Sequence, residues 1–312
     1  MIYADYFDKF KCKCGDCRHV CCGGWGITVS DEEYFRLLGL DCPAELRYIL
    51  DCALAPVDDP CPERYAMMKP SYEGKCRLID ENGLCSLQVA CGEGVLPAVC
   101  RTYPRAIHEG RSACSASCEK TVELLMRSEP LSFSSPLPEP LSSYLNAVQD
   151  RRLPLTERLS KLIKQEFDNG DHYNYYSLLT AYAGTLAESF PHFDETFYRR
   201  LTSREEDLYE NTERFDRDLP GAEAWFENLL VNRMFISVFP SDDTKTAICG
   251  LVCEYALLRA FTSYCKTETE FVDTAAELYR FIGHTNFDKN SAAAIRLCGA
   301  YSADGLTSLL KN

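Results

Sequence analysis

The run "FKCKCGDCRHVCCGGW", Phe10 to Trp25, holds five cysteines in sixteen residues, two of them adjacent. Thiols can bridge, ligate a metal or act as nucleophiles. The chain has 18 cysteines, and fourteen lie at or before residue 118; the next is Cys249. Such density at short spacings favours ligation over bridging in a reducing compartment, where structural disulfides are rare. Adjacent Cys21 and Cys22 can point to different sides of the chain, so one can ligate while the other packs or serves a second site. Only Cys14 and Cys17 form a C-x2-C knuckle, and a zinc ribbon needs two. Cys76 and Cys85 have eight residues between them, and Cys100 and Cys118 are isolated. Thiolates converging from several loops suit an iron–sulfur cluster at least as well as zinc. Histidine is scarce (residues 19, 108, 172, 192 and 284), so the donors are mostly sulfur, a set that both iron–sulfur and tetrahedral zinc accept. The plain alternative is buried free thiols packing as small hydrophobes.

These cysteines must be positioned by elements that the sequence also suggests. "SDEEYFRLL" reads as a helix start, with Ser30 as cap and Glu33 closing a capping box. Residues 55–75 are rich in Pro, Asp and Gly and read as loop. In "CRLIDENGLCSLQVACGEG" the "ENG" is a turn that brings Cys76 and Cys85 together. "VLPAVCRTYPRA" delivers Cys100, and "CSASCEKTVELLMR" carries Cys114 and Cys118 into a helix start, where the local dipole favours a thiolate. Residues 128–140, with four prolines and four serines in "SEPLSFSSPLPEP", form a linker or an extended wrap. Beyond it the pattern is helical almost throughout. Phe226, Leu230, Met234 and Val238 mark one buried face, and Cys249, Cys253, Leu257 and Phe261 another, so these two cysteines are core. Strand-like alternation is almost absent. The expected fold is mainly α: a cysteine-rich, loop-rich, metal-binding part over residues 1–127, packed on an α-helical domain over 141–312.

Composition narrows the function further. Hydrophobic residues make up 46% of 312, enough for a core that needs no metal to exist. The formal net charge is −14, with 47 acids against 33 bases. No nucleic-acid partner is expected, because phosphate binding needs a basic surface. The N-terminus "MIYADYFDKFK" lacks an apolar run of signal-peptide length, and no stretch approaches the roughly 18 apolar residues of a membrane helix. The expected location is cytoplasmic, with no membrane partner. There is no dinucleotide fingerprint, P-loop, G-x-S-x-G or H-E-x-x-H, and the C-x3-C-x2-C spacing of radical S-adenosylmethionine enzymes is also missing.

Several of these blocks resemble the flagellin lysine N-methylase family, part of a wider group of cysteine-cluster proteins that chelate zinc or iron. "FKC", Cys17 and "CCGGW" resemble its opening, "CRLIDENGLCSLQ" its second block, "CRTYPR" its third, and Cys118 in "SASCEK" the cysteine that follows. "FENLLVNRMFISVFP" is similar to a family helix ending in Phe-Pro, and "YRFIGH" is a weaker echo. By position the resemblance assigns metal ligation to Cys12, Cys17, Cys21, Cys22, Cys76, Cys85, Cys100 and Cys118. Cys14, Cys42, Cys52, Cys61, Cys91 and Cys114 are additional to the pattern. The resemblance implies methyl transfer from S-adenosylmethionine to lysines of flagellin, and a bound [4Fe–4S] cluster, with zinc as the alternative metal.

Such chemistry sets requirements on the site. A lysine, with an ordinary pKa of about 10.4, must lose a proton before it attacks a methyl group. Aromatic walls that desolvate the ammonium ease that loss. Trp25 and Tyr103 are the candidates for the lining, and Tyr103 can also orient the amine. Arg105 can offset thiolate charge or clamp the carboxylate of the donor in bidentate fashion. With no nucleotide motif, the donor binds in a groove not legible in sequence or on the metal itself. The competing reading is a non-enzymatic zinc- or iron-binding module with a helical protein-docking domain.

Overall fold

Contacts divide the computed structural model of the protein into two units, Lys11–Tyr103 and Met1–Phe10 together with Pro104–Asn312. The structure describes residues 1–18, 21–23, 26–189, 219, 221–237, 239, 243–283 and 285–310. Both sequence boundaries placed near 127 and 140 fall inside the second unit. The fold is mainly α, and among the described residues no helix is long and apolar enough to cross a membrane.

The Lys11–Tyr103 unit is built on a three-stranded antiparallel sheet of order β2-β4-β3: β2 is Ile27–Val29, β3 Leu54–Cys61 and β4 Arg64–Met68. This corrects the loop expected over 55–75. Pro56, Asp58, Asp59 and Pro60 disguise β3, which is an edge strand, where proline is tolerated; its register shifts between Pro56 and Cys61. The strand signal survives in β4, where Ala66 and Met68 alternate inward. Helix α1 (Asp31–Leu38) has the expected capping box: Ser30 Oγ accepts from the Glu33 N–H at 3.2 Å, and Glu33 Oε2 accepts from the Ser30 N–H at 3.0 Å. Helices α2 (Ala44–Ala53), α3 (Ser86–Cys91) and α4 (Ala98–Thr102) complete the unit. Glu33 Oε1 also accepts from the Ala98 N–H at 2.6 Å, so one carboxylate caps α1 and the start of α4. Leu37, Leu46, Leu50, Leu78, Leu87 and Leu96 pack with the sheet as one core.

The other unit has a small sheet of its own. β1 (Ile2–Tyr3) runs parallel to β6 (Arg111–Cys114), which pairs antiparallel with β5 (Arg105–His108). The β5–β6 turn places Glu109 and Gly110 at positive φ, 46° and 76°, as a tight two-residue hairpin requires. The rest is helical: α5 (Glu119–Leu125), α6 (Leu141–Val148), α7 (Leu155–Glu166), α8 (Tyr175–Glu188), α9 (Ala222–Ile236), α10 (Thr244–Thr262), α11 (Glu268–Gly283), α12 (Phe287–Leu297) and α13 (Ala303–Ser308). Residues 128–140 take the wrap form. Leu131 is buried, and Phe133 stacks on Phe235 at 4.4 Å. Asn228 Oδ1 accepts from the Leu131 N–H at 3.1 Å. Its Nδ2 donates to the carbonyls of Leu125, Arg127 and Glu129, each at 3.1 Å. Phe226, Leu230, Met234, Cys249, Cys253, Leu257 and Phe261 are all buried, as their spacing predicts; Val238 lies outside the described residues.

Two buried ionic networks brace the helices. Arg233 on α9 pairs with Glu254 on α10 at 2.7 Å and with Asp288 on α12 at 2.5 Å, and the Tyr279 hydroxyl on α11 donates to Glu254 at 2.6 Å. Arg158 on α7 pairs with Glu227 on α9 at 2.5 Å, and Arg151 meets the same carboxylate at 2.9 Å.

Candidate metal centre

Three segments of the Lys11–Tyr103 unit bring cysteines toward one another. The first is the stretch from Cys12 to Cys22. Cys14 has a positive φ of 54° and starts a single 3-10 turn, Cys14–Asp16. The turn lies against the "ENG" reversal, since a Cβ on Gly15 would meet the Asn82 carbonyl oxygen at 2.7 Å. The Cys14 N–H donates to Cys12 Sγ at 3.3 Å, and Cys17 follows the turn half-buried.

The second segment is the reversal itself. Asp80 Oδ1 accepts from the N–H groups of Asn82 and Leu84 at 2.9 and 2.8 Å, and Gly83 adopts φ 74°. An isolated bridge joins Ile79 to Cys85, and the Cys76 N–H donates to the Cys22 carbonyl at 2.7 Å. Cys76 is therefore tied to the adjacent pair through the backbone. The third segment is α4, which carries Cys100.

Burial and mutual proximity raise several of these thiols above the ordinary range. Cys21 and Cys22 stand Sγ to Sγ at 3.8 Å, and that contact, with burial and the neighbouring Cys76 and Cys100, pushes Cys22 far above the ordinary thiol range. Burial pushes Cys100 up to about 12, with Cys76, Cys85 and Cys21 adding to it. Cys76 is raised by burial and by Cys85 and Cys21. Burial and Cys21 raise Cys85, while the N–H groups of Gln88 and Leu87, in the first turn of α3, pull it back. Cys12 is raised by burial, then by Cys14 and Cys21. Half-buried Cys22, Cys76, Cys85 and Cys100 and the exposed Cys21 thus share one neighbourhood, in which Cys21 opposes ionisation of the other four.

Among the described residues no group of three Cys, His, Asp or Glu side chains closes on a single ion-sized point. All 18 cysteines are free thiols. The donor chemistry nonetheless fits a thiophilic cation. Mutual repulsion of nascent thiolates is the cost of packing them together, and a bound cation removes that cost by holding them deprotonated.

The remaining candidates fall elsewhere. Tyr103 caps the C-terminus of α4, half-buried, at the end of the cysteine-rich unit. Arg105 and Cys118 belong to the other unit. The Arg105 guanidinium lies over the Phe10 ring at 5.2 Å and the Phe7 ring at 5.9 Å. Its charge pulls the Cys114 thiol down, while burial and Cys118 push it up to a net value of about 12. Cys118 precedes α5 at its N-cap. Cys114, whose role the sequence left open, is fully buried beside it. Trp25 lies outside the described residues, as do His19 and His284.

In sequence the cysteine-rich unit is followed by the β5–β6 hairpin and then by a helical region. Residues 164–306, within that helical region, match the family model described as FliB lysine N-methylase C-terminal domain. Over these residues, somewhat under half of the chain, the protein is similar to the C-terminal domain of lysine N-methylases. It is 28% identical over 125 residues to the lysine-N-methylase of Salmonella typhimurium and 29% identical over 125 residues to that of Salmonella choleraesuis, covering 39% of this chain and 31% of each relative. It is also 27% identical over 125 residues to the flagellar biosynthetic protein FliU of Salmonella muenchen, across 73% of that protein. The matches span about a third of the length of the two lysine-N-methylases. No solved structure matches the fold.

Proposed function

We propose that the protein is a cytoplasmic lysine N-methyltransferase that transfers a methyl group from S-adenosylmethionine to lysines of flagellin, and that its cysteine-rich unit holds a [4Fe–4S] cluster. The observation that carries this reading is the match of residues 164–306 to the C-terminal domain of lysine N-methylases. The gathering of thiols in the other half of the sequence supports the metal.

Cys21, Cys22, Cys76, Cys85 and Cys100 would hold the metal, with Cys12 and Cys17 supplied by the adjoining loop. Cys118 stays among the ligands on the resemblance alone. When bound, the metal supplies a positive, Lewis-acidic centre and keeps its sulfur ligands as thiolates. The chain's own residues do the rest. On the resemblance alone, Tyr103 keeps the role of orienting an amine, Trp25 that of excluding water and Arg105 that of binding the donor carboxylate. Soft sulfur donors accept zinc as readily as iron, so metal identity is part of the test.

The experiment is transfer of a labelled methyl group from S-adenosylmethionine to purified flagellin by protein prepared without oxygen. The expected result is label on flagellin lysines and iron in the protein. Bound metal without any transfer would instead identify a non-enzymatic metal-binding module.

A further inference from the structure

We propose that a cavity of 670 Å³ beside Cys76 in the cysteine-rich unit receives the cationic side chain of a lysine presented by a protein partner. This deepens the methylase reading and rests on it for the identity of the cation. The cavity has the size of a ligand site and is walled by Tyr48, Tyr72, Glu73, Asp80 and Glu81, with Cys76 as one boundary. Cys76 also belongs to the thiol group described above, so cavity and candidate metal centre share a residue.

The wall has the chemistry that an ammonium selects. Tyr48 is 72% exposed and Tyr72 is 96% exposed, and neither ring stacks on another aromatic among the described residues. On α2 the buried residues Leu46, Leu50 and Ala53 take the core face, which leaves Tyr48 on the solvent face. Exposed aromatic rings without partners are costly to keep in water and attract a cation through their faces. Two bases, Lys75 and Arg77, also line the cavity. Lys75 pairs with Glu73 at 3.6 Å, and Arg77 Nε donates to the Pro70 carbonyl at 3.3 Å. Asp80 holds the turn through its bonds to Asn82 and Leu84 and so fixes Glu81, which has no partner among the described residues. Three acids (Glu73, Asp80, Glu81) stand against these two bases, so the wall keeps one net negative charge. A lysine entering the cavity would meet both the tyrosines and that charge in its lining.

The test uses the whole protein and a fluorescent helical peptide carrying one lysine, with the same peptide carrying norleucine as control. Wild type binds the lysine peptide more tightly than the norleucine peptide. The double variant Tyr48→Ala/Tyr72→Ala weakens lysine-peptide binding about tenfold, from two exposed cation–π contacts, and leaves the norleucine peptide unchanged. Glu81→Gln weakens it in the same direction. Thermal melts confirm that these surface variants stay folded. Equal affinity for both peptides in wild type, or unchanged lysine affinity in the variants, overturns the assignment. Methyl transfer by wild type to flagellin is measured alongside. Transfer with unaltered variant affinity leaves the methylase reading standing and removes the cavity. No transfer, with lysine preference lost in the variants, keeps the cavity and removes the methylase reading.

Discussion

A single hydroxyl ties together three distant parts of the helical unit. Tyr6, fully buried, donates its one proton to Asn232 Oδ1 at 2.5 Å, accepts from the Cys114 N–H at 3.0 Å and lies 3.0 Å from the Cys114 carbonyl. Burial holds the phenol far above its ordinary pKa, so it stays a neutral donor. Tyr6→Phe keeps the ring and strips the oxygen, leaving a buried amide and a buried carboxamide unsatisfied. The expected cost is about 1–3 kcal/mol, read from urea denaturation; an unchanged midpoint would show that these groups find other partners. Nothing around Tyr6 in the sequence announces this role, because its partners lie 108 and 226 residues away. The cysteines were legible for the opposite reason, since their rarity and crowding are visible without a fold.

Helix packing sets a stricter limit on α10 than its propensities do. Gly250 sits where a Cβ would lie 1.9 Å from Asp288 Oδ1 and 2.9 Å from Asp288 Cβ on α12. Alanine favours a helix interior by about 1 kcal/mol over glycine. Overpacking costs about 1–3 kcal/mol, and displacing Asp288 from Arg233 adds to it. Gly250→Ala should therefore lower stability by about 2 kcal/mol net, visible as a reduced melting temperature. A rise would mean that α10 and α12 separate freely. Long helices such as α9 and α10 were readable from their length and apolar content, although both are buried nearly all round rather than along one face. The cap on α1 was readable because capping is local to four residues. β3, the β5–β6 hairpin and the joint capping of α1 and α4 by Glu33 were not. Prolines and acids mask an exposed edge strand, and pairing across tens of residues leaves no periodic trace.

Across the whole molecule, acid and base are stored as buried pairs, which makes stability depend on pH. Burial pushes Glu254 up to about 7 in the fold, against the attraction of Arg233 and the hydrogen bond from Tyr279. The folded protein thus binds a proton here more tightly than the unfolded chain, whose glutamate titrates near 4.3. The contribution of this group is full below that lower value and is lost as pH rises through about 7. Glu254→Gln, which imitates the protonated form, should compare worst with wild type near pH 4.5 and gain on it toward pH 8. Melting curves of both proteins across that range check the sign; a constant gap would place the carboxylate charged in both states. At the candidate site the sequence singled out Cys21, Cys22, Cys76, Cys85 and Cys100, which the fold brings near one another without closing them on one ion-sized point, but not the division that puts Cys118 and Arg105 in the other unit. That division follows from the contacts of β5, β6 and α5, which no motif encodes.

The most direct measurement is the iron and zinc content of oxygen-free wild type beside Cys21→Ser and Cys100→Ser, with each protein's melting curve. Stoichiometric iron in wild type, lost in both variants together with stability, is the expected result, because metal affinity built from converging thiolates is also folding free energy. Fully folded wild type containing neither metal, or variants that keep their iron, would contradict it.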